Sequence, residues 1–249
     1  MLVRPIKTRI FKEGEDLFAF ITHYLKNIKE NSVIVVTSKI VALSEKRTAV
    51  MTDEKSKEKL IRAESEWVMP TKYVWLTIKD GTVMASAGID ESNANGKFIL
   101  LPKNSFKTAS LLRKKLQAKY KIKNLGVLIT DSRTAPLRAG VTGATVGYAG
   151  FKGIKDYRGT SDIFGRKFHF SRTNTADSLA AAAVLVMGEG KERYPLAVIT
   201  DSPTIFCEKI KQNELKIDPQ DDMYRPLFEN MSPRRHPRLD RGSTRGIKR

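Results

Sequence analysis

Three acidic stations stand out along this chain of 249 residues: Asp90 and Glu91 in GIDESN, Asp131 beside Ser132 in ITDS, and Glu189 in MGEG. Each follows or interrupts an apolar segment, so a rigid scaffold could hold each of them on a loop. Carboxylate and hydroxyl oxygens, with no Cys or His among them, suit a hard cation such as Mg²⁺ or Mn²⁺. A magnesium ion takes one or two protein carboxylates and completes its shell with water and substrate phosphate. Arg138, Arg158 and Arg166 lie in the glycine-rich stretch that follows. A planar guanidinium grips phosphate or carboxylate through two parallel hydrogen bonds, so these arginines could orient anionic substrates. Spacing alone leaves a plainer reading open. A strand-end Asp also caps a turn through its own backbone, Glu189 also solvates a helix end, and arginines also serve as surface charge. A second ITDS at 199–202 shows that such a tetrapeptide recurs.

The familiar nucleotide and nucleophile motifs are missing. The sequence holds no G-x-x-x-x-G-K-[ST], no G-x-G-x-x-G opening a helix after a strand, and no G-x-S-x-G. His23, His169 and His236 are scattered, which argues against an imidazole metal site or a Ser-His-Asp arrangement. His23 on a helical face and His169 in an expected strand read as structural. Any chemistry therefore falls to carboxylates, hydroxyls and arginines. Cys207 is the single cysteine, which rules out a disulfide scaffold or a zinc ribbon and suits a reducing cytoplasm.

The elements that must position these residues follow from periodicity. Leu17, Phe18, Phe20, Ile21, Tyr24, Leu25 and Ile28 share a helical face after the polar start at 12–16. SVIVVTS at 32–38 reads as a buried strand. Residues 53–65 read as a charged surface helix, and 73–87 as a hairpin turning at Asp80-Gly81, a pair that tolerates the positive φ of a tight turn. Residues 98–101 suggest a short strand, and 105–119 a basic amphipathic helix that Asn104 or Ser105 could cap. Leu125–Thr130 predicts a strand ending at Asp131-Ser132, and Gly140, Gly143, Gly147, Gly150 and Gly153 suggest bulged strands and close backbone approach. TADSLAAAAVLVM at 175–187 predicts a helix ended by Gly188-Glu189-Gly190, and 195–200 a further strand. Strands and helices interleave without a regular βαβ repeat. The expected class is α+β, with mixed or antiparallel sheets and flanking helices.

Composition bounds the rest. At 41% hydrophobic and 29% charged residues, the chain reads as globular, and no apolar run spans a bilayer. With no apolar leader at its start, the expectation is a cytoplasmic protein without a membrane partner. The formal net charge is +18, of which residues 232–249 carry +6. That stretch lacks periodic apolar residues and reads as a basic, disordered tail, leaving residues 1–231 as the folded domain in two sub-parts. No aromatics interleave its arginines as a stacking platform for nucleic acid requires. The remaining positive charge favours anionic partners, whether nucleotide phosphates, polycarboxylates or nucleic acid, without choosing among them.

Several ordered pieces then carry a resemblance to the γ-glutamyl ligases of the deazaflavin coenzyme F420. They are SAGIDESN (86–93), LGVLITDS (125–132), LRAGVTGATVGYAG (137–150), DYRG and DIFGR (156–166) and ADSLAAAAVLVMGEG (176–190), with FKEGEDL (11–17) and VVTSK (35–39) resembling the opening segment. The resemblance covers about residues 8–200. It implies a homodimeric two-part α+β fold that uses GTP or ATP and Mg²⁺ or Mn²⁺ to join L-glutamate to a cofactor acceptor through an acyl phosphate. By position it implies Asp90, Asp131, Ser132 and Glu189 as metal ligands, and Asp131 and Arg138 as catalytic residues. It implies Thr8, Arg9, Ile10, Phe11, Ser38, Lys39, Asn93, Gly188 and Gly190 around the nucleotide.

The departures bear on substrate. The family's S-K-A-E-G-R is here Ala42-Leu43-Ser44-Glu45-Lys46-Arg47, so Leu43 replaces a nucleotide-contacting lysine, with Lys39 or Lys46 as a replacement cation. The family's x-G-R and aromatic before R-x-G are here Arg133-Thr134-Ala135-Pro136-Leu137. That loop is closer to those of relatives that glutamylate folates, so folate and the deazaflavin both stand as acceptors. A non-catalytic nucleotide- or cofactor-binding homologue is the alternative, and a basic nucleic-acid-binding protein the third.

Overall fold

The computed structural model describes residues 1–50 and 53–229; the expected tail at 232–249 lies outside them. Among the described residues two compact units are formed, one from 1–50 with 88–215 and one from 53–87 with 216–229. In chain order the elements open with β1 (Leu2–Ile6), α1 (Leu17–Tyr24), β2 (Ser32–Thr37), α2 (Ser38–Ser44) and β3 (Thr48–Ala49). The second unit contributes α3 (Glu54–Ala63), β4 (Trp67–Pro70), β5 (Trp75–Lys79) and β6 (Thr82–Ala85). The first resumes with β7 (Phe98–Ile99), α4 (Ser105–Tyr120), β8 (Leu125–Arg133), β9 (Thr142–Ala149), β10 (Ile154–Asp156), β11 (Arg172–Asn174), α5 (Thr175–Met187) and β12 (Leu196–Thr200), and α6 (Arg225–Glu229) follows.

A five-stranded sheet in the order β1-β12-β2-β8-β9 organises the first unit. Only β2 and β8 run parallel; the other neighbours are antiparallel, so the sheet is mixed. β2 is apolar almost throughout because both of its faces are covered. Ile34 and Val36 join Phe20 and Ile21 of α1 and Leu112 and Leu116 of α4 on one side. Val33 and Val35 join the alanines of α5, Ala176, Ala180 and Ala183, on the other. Glycines in β9 let the helices come this close. A Cβ on Gly143 would lie 2.3 Å from the Ala180 carbonyl oxygen, and one on Gly147 would lie 2.5 Å from Ser105. Buried Arg113 of α4 ties the layers together, donating from Nε to the Leu125 carbonyl at 2.7 Å and from both terminal nitrogens to Glu208.

The mixed α+β class agrees with the sequence reading, and several local expectations are corrected. β8 continues through Asp131 and Ser132 to Arg133, because β9 keeps pairing as far as Thr142. A bulge at Val146 shifts the register between Ile129 and Thr130. The strand expected at 32–38 ends at Thr37, and Ser38 opens the short helix α2. α1 stops at Tyr24, although Leu25 and Ile28 beyond it remain in the core. Asp16 caps α1 and Asn104 caps α4, each accepting a backbone N–H three residues on. His169 lies in a bend rather than a strand. In the second unit β4, β5 and β6 form an antiparallel sheet that includes the expected hairpin, with Asp80 and Gly81 at positive φ. No helix among the described residues is long and apolar enough to cross a membrane.

Candidate active site

The candidate residues gather at one end of the five-stranded sheet. β2 and β8 are parallel, so their carboxyl ends deliver Ser38-Lys39 and Asp131-Ser132 side by side. β12 runs against β2 and begins at this end, which brings in the preceding segment 188–195. β1 leaves the sheet at the same end and leads to Thr8–Phe11. Two backbone bonds fasten these entries, from Thr8 N–H to the Arg193 carbonyl and from Thr37 N–H to the Pro195 carbonyl, each 3.0 Å. Crevices beyond the carboxyl ends of parallel strands are where α/β sheets bind ligands, because the loops there diverge.

Side chains from four separated segments meet there. Ser38 Oγ donates to Asp131 Oδ1 at 3.1 Å, and Ser132 Oγ to Glu189 Oε1 at 2.6 Å. Successive residues of a strand point to opposite faces, so Asp131 and Ser132 address the two sides of the β8 end. Asp90 is pinned by backbone bonds to Ile99 and accepts from the Ser92 amide at 2.7 Å and the Ser92 hydroxyl at 2.9 Å. Lys39 Nζ lies 2.8 Å from Asp90 Oδ2 and donates to the Ser92 carbonyl. Asn93, at positive φ, donates from Nδ2 to the Gly190 carbonyl at 3.3 Å.

The two aspartates differ electrostatically. Burial pushes the Asp131 carboxyl above its ordinary range; hydrogen bonds from Ser132 and Ser38 and the charge of Arg133 oppose this, while Asp90 adds to it. Burial acts on Asp90 as well, yet the Lys39 ammonium and the Ser92 hydrogen bonds outweigh it and hold that carboxyl low. The β8–β9 pair also holds unused polar capacity, on both of its faces. Thr130 Oγ1, Thr145 Oγ1 and Arg133 Nε are buried without hydrogen-bond partners among the described residues. Such groups cost about 1–3 kcal/mol each when unsatisfied.

Other expected residues stand apart. Thr8 is buried, with its hydroxyl on the Arg9 carbonyl. Arg9 forms a forked pair with Glu15 and lies over the Phe20 ring, beside a cleft of about 380 Å³ that His23 also lines. Ile10 is exposed, but the Phe11 ring is in the core, edge-on to Phe20, which leaves only its backbone for a ligand. The room expected from Gly188 and Gly190 is taken by this chain's own Glu192: its carboxylate accepts from Gly190 N–H at 2.8 Å, and a Cβ on Gly188 would meet it at 2.6 Å. Arg138 is exposed, and its backbone closes a turn onto Ala135. Among the described residues its side chain forms no hydrogen bond or ion pair with the acidic residues of the cluster. Arg158 is committed to Asp156 in a two-residue turn.

Sequence reasoning missed Ser92, Glu192 and Arg133 as participants. Ser92 carried a signal, since Asp-x-Ser is the pattern of an Asx turn; Glu192 carried none. The metal expectation is tested by the donor set. Among the described residues no three Asp, Glu, His or Cys side chains group closely enough to hold a cation. Asp90 and Asp131, near enough to influence each other electrostatically, fit the smaller protein share that a magnesium ion takes when phosphates complete its shell.

The family described as F420-0:Gamma-glutamyl ligase matches residues 5–201. A coenzyme F420:L-glutamate ligase of Methanococcus maripaludis strain C6 is 32% identical over 216 residues, covering 80% of this chain and 86% of the relative. The enzyme of that name from Archaeoglobus fulgidus is 31% identical over 208 residues, with coverage of 76% and 83%. That from Methanosarcina acetivorans is 30% identical over 226 residues, with coverage of 84% and 88%. With its acidic and hydroxyl residues converging at one sheet end and most of its length matched, the chain belongs to the F420-0:gamma-glutamyl ligase family and is a ligase of the amide-forming class.

Proposed function

We propose that this chain, as a homodimer, joins the amine of L-glutamate to a carboxylate of a coenzyme F420-0-type acceptor, using GTP or ATP and Mg²⁺ or Mn²⁺. The observation that carries the reading is the convergence of Ser38-Lys39, Asp90–Asn93, Asp131-Ser132 and Glu189-Gly190 on one sheet end. In the reaction the acceptor carboxylate attacks the terminal phosphorus of the nucleotide, and the bond to the bridging oxygen breaks. An acyl phosphate and a nucleoside diphosphate result. The amine of glutamate then attacks the acyl carbon, loses a proton, and inorganic phosphate departs.

Within that scheme Lys39 supplies positive charge to phosphate oxygens, and Asn93 fixes the 190 loop against the 90 loop. Asp90 and Asp131 hold the divalent cation, with Ser132 and Glu189 as the neighbouring oxygens. That ion, when bound, neutralises the phosphate charge that builds during transfer. Ser38 orients Asp131. Arg138, exposed on the 134–141 loop, draws in the anionic acceptor. That loop contains no aromatic residue, which favours a folate as the second acceptor to test.

The deciding experiment offers F420-0, dihydrofolate and tetrahydrofolate in turn, with labelled L-glutamate, Mg²⁺ or Mn²⁺ and each triphosphate. Mass spectrometry is expected to show one glutamyl addition or more on F420-0, with matching phosphate release. Transfer to folates alone would replace the acceptor, and triphosphate binding without transfer to any acceptor would end the ligase reading. Light scattering of the same preparation is expected at twice the 28.0 kDa chain mass.

A further inference from the structure

The end of the five-stranded sheet opposite the candidate active site carries a cavity of about 580 Å³, within the range of pockets that hold small ligands. Ser32, at the start of β2, lines it, whereas Ser38 and Lys39 follow the other end of that strand. A rise of about 3.3 Å per residue puts the two ends roughly 20 Å apart. The second ITDS, at 199–202, contributes Thr200, Asp201 and Ser202 to the same cavity.

The register decides which side chains share a face here. Leu2 pairs with Thr200, and Arg4 with Val198, which pairs in turn with Ile34 of β2. Ser32 precedes Ile34 by two residues, so Arg4, Val198, Thr200 and Ser32 all point to one face of the sheet. That is the face covered by α1 and α4, in whose core Val198 and Ile34 lie. The loop from α1 to β2 runs on the same side, with Ile28 in that core, and adds Lys29, Glu30 and Asn31 to the cavity.

The polar groups around it are donors with capacity to spare. Ser32 is fully buried, yet its hydroxyl has no hydrogen-bond partner among the described residues. Arg4 and Lys29, exposed at the rim, form no hydrogen bond or ion pair among the described residues. The carboxylates are partly spent. Glu30 accepts from the Lys123 and Asn124 amides at 2.6 and 2.7 Å, one on each oxygen, and Asp201 accepts from the Thr200 hydroxyl at 3.2 Å. Two unpaired cations over a buried, unpartnered hydroxyl suit a ligand that brings acceptor oxygens.

We propose that this cavity is a second ligand site, remote from the candidate active site, for a small oxyanion carried as a phosphate or carboxylate group. Arg4 offers a planar fork, Lys29 a point charge and Ser32 a neutral donor. Such a site is independent of the ligase reading, and either stands without the other.

Titration calorimetry at constant ionic strength, with inorganic phosphate and with succinate up to millimolar concentration, tests it on wild type, Arg4→Gln, Ser32→Ala and Lys39→Gln, each with its Tm. At least one anion is expected to bind wild type. Arg4→Gln should weaken that binding roughly tenfold or more, the size of a lost charge-assisted hydrogen bond. Ser32→Ala should weaken it about threefold, with Tm unchanged or higher because an unpartnered buried hydroxyl has gone. Lys39→Gln, changed at the far end of the sheet, should leave it as in wild type. Phosphate binding alone identifies a phosphoryl ligand, and succinate binding alone a carboxylate. Two binding events, one lost with Arg4→Gln and the other with Lys39→Gln, also support the site. Binding that is lost with Lys39→Gln and kept in Arg4→Gln belongs to the candidate active site and overturns the proposal. No binding of either anion, or a single event weakened equally by both variants, overturns it as well. Failure of glutamate transfer by the same wild type would end the ligase reading and leave this site untouched.

Discussion

Asp131 is held in a way that sets its stability role against its chemical one. Burial raises its pKa in the folded protein above the unfolded value. The folded state therefore binds more protons than the unfolded state between those two values, and stability falls as pH rises through that window. Ionising Asp131 therefore costs the fold stability. Asp131→Asn is accordingly expected to leave Tm at neutral pH unchanged or raised, and to flatten the loss of stability above the ordinary carboxylate range. Glutamate transfer should fall by roughly a hundredfold or more, as when a preorganised polar group is lost from a reacting centre. Thermal melts across pH, beside a transfer assay, check both halves; a variant that melts lower and still transfers would contradict both. Asp90 behaves oppositely. Its lowered pKa means that its contribution to stability is present above the unfolded value and is lost as pH falls through the folded one.

Among the elements, the join between β9 and α5 decides whether Ser132 and Glu189 meet. Glu189 is placed by the helix that precedes it, and Ser132 by the strand paired to β9 at Gly143. A Cβ on Gly143 would press on the backbone of α5 at Ala180, where no side chain can turn aside. Gly143→Ala is expected to cost about 1–3 kcal/mol by overpacking, read from urea unfolding midpoints at constant slope. Transfer activity should drop by more than the unfolded fraction explains, because the helix end moves away from β8. Unchanged stability would mean that the helix shifts freely, contrary to the packed alanine face. The same join shows why element boundaries escaped periodicity. β8 extends past Thr130 only because glycine-rich β9 supplies a partner strand as far as Thr142.

For the whole molecule the governing quantity is charge. Of the +18 net charge, residues 232–249 hold +6 with no interleaved aromatics. Removing them is expected to leave glutamate transfer unchanged, since every residue assigned to the site lies before residue 193. Non-specific DNA binding should weaken, and its dependence of log K on log salt should become shallower by up to about 0.9 per lost phosphate contact. Filter binding across salt concentrations measures that slope. Loss of transfer on truncation would place part of the site in those residues.

The sequence by itself determined the helices at 105–119 and 175–187, the buried strand β2, the hairpin turning at Asp80-Gly81 and the acidic stations at 90, 131 and 189, because these depend on neighbours in the chain or on side-chain chemistry. Tertiary structure alone decided that Lys39 reaches Asp90, that Ser132 reaches Glu189, and that Arg133 is left with spare donors. The Lys39–Asp90 and Ser132–Glu189 contacts are set by strand order and register, which bring together residues 57 positions apart in the chain in the case of Ser132 and Glu189. Local propensity has no knowledge of which strand lies beside which.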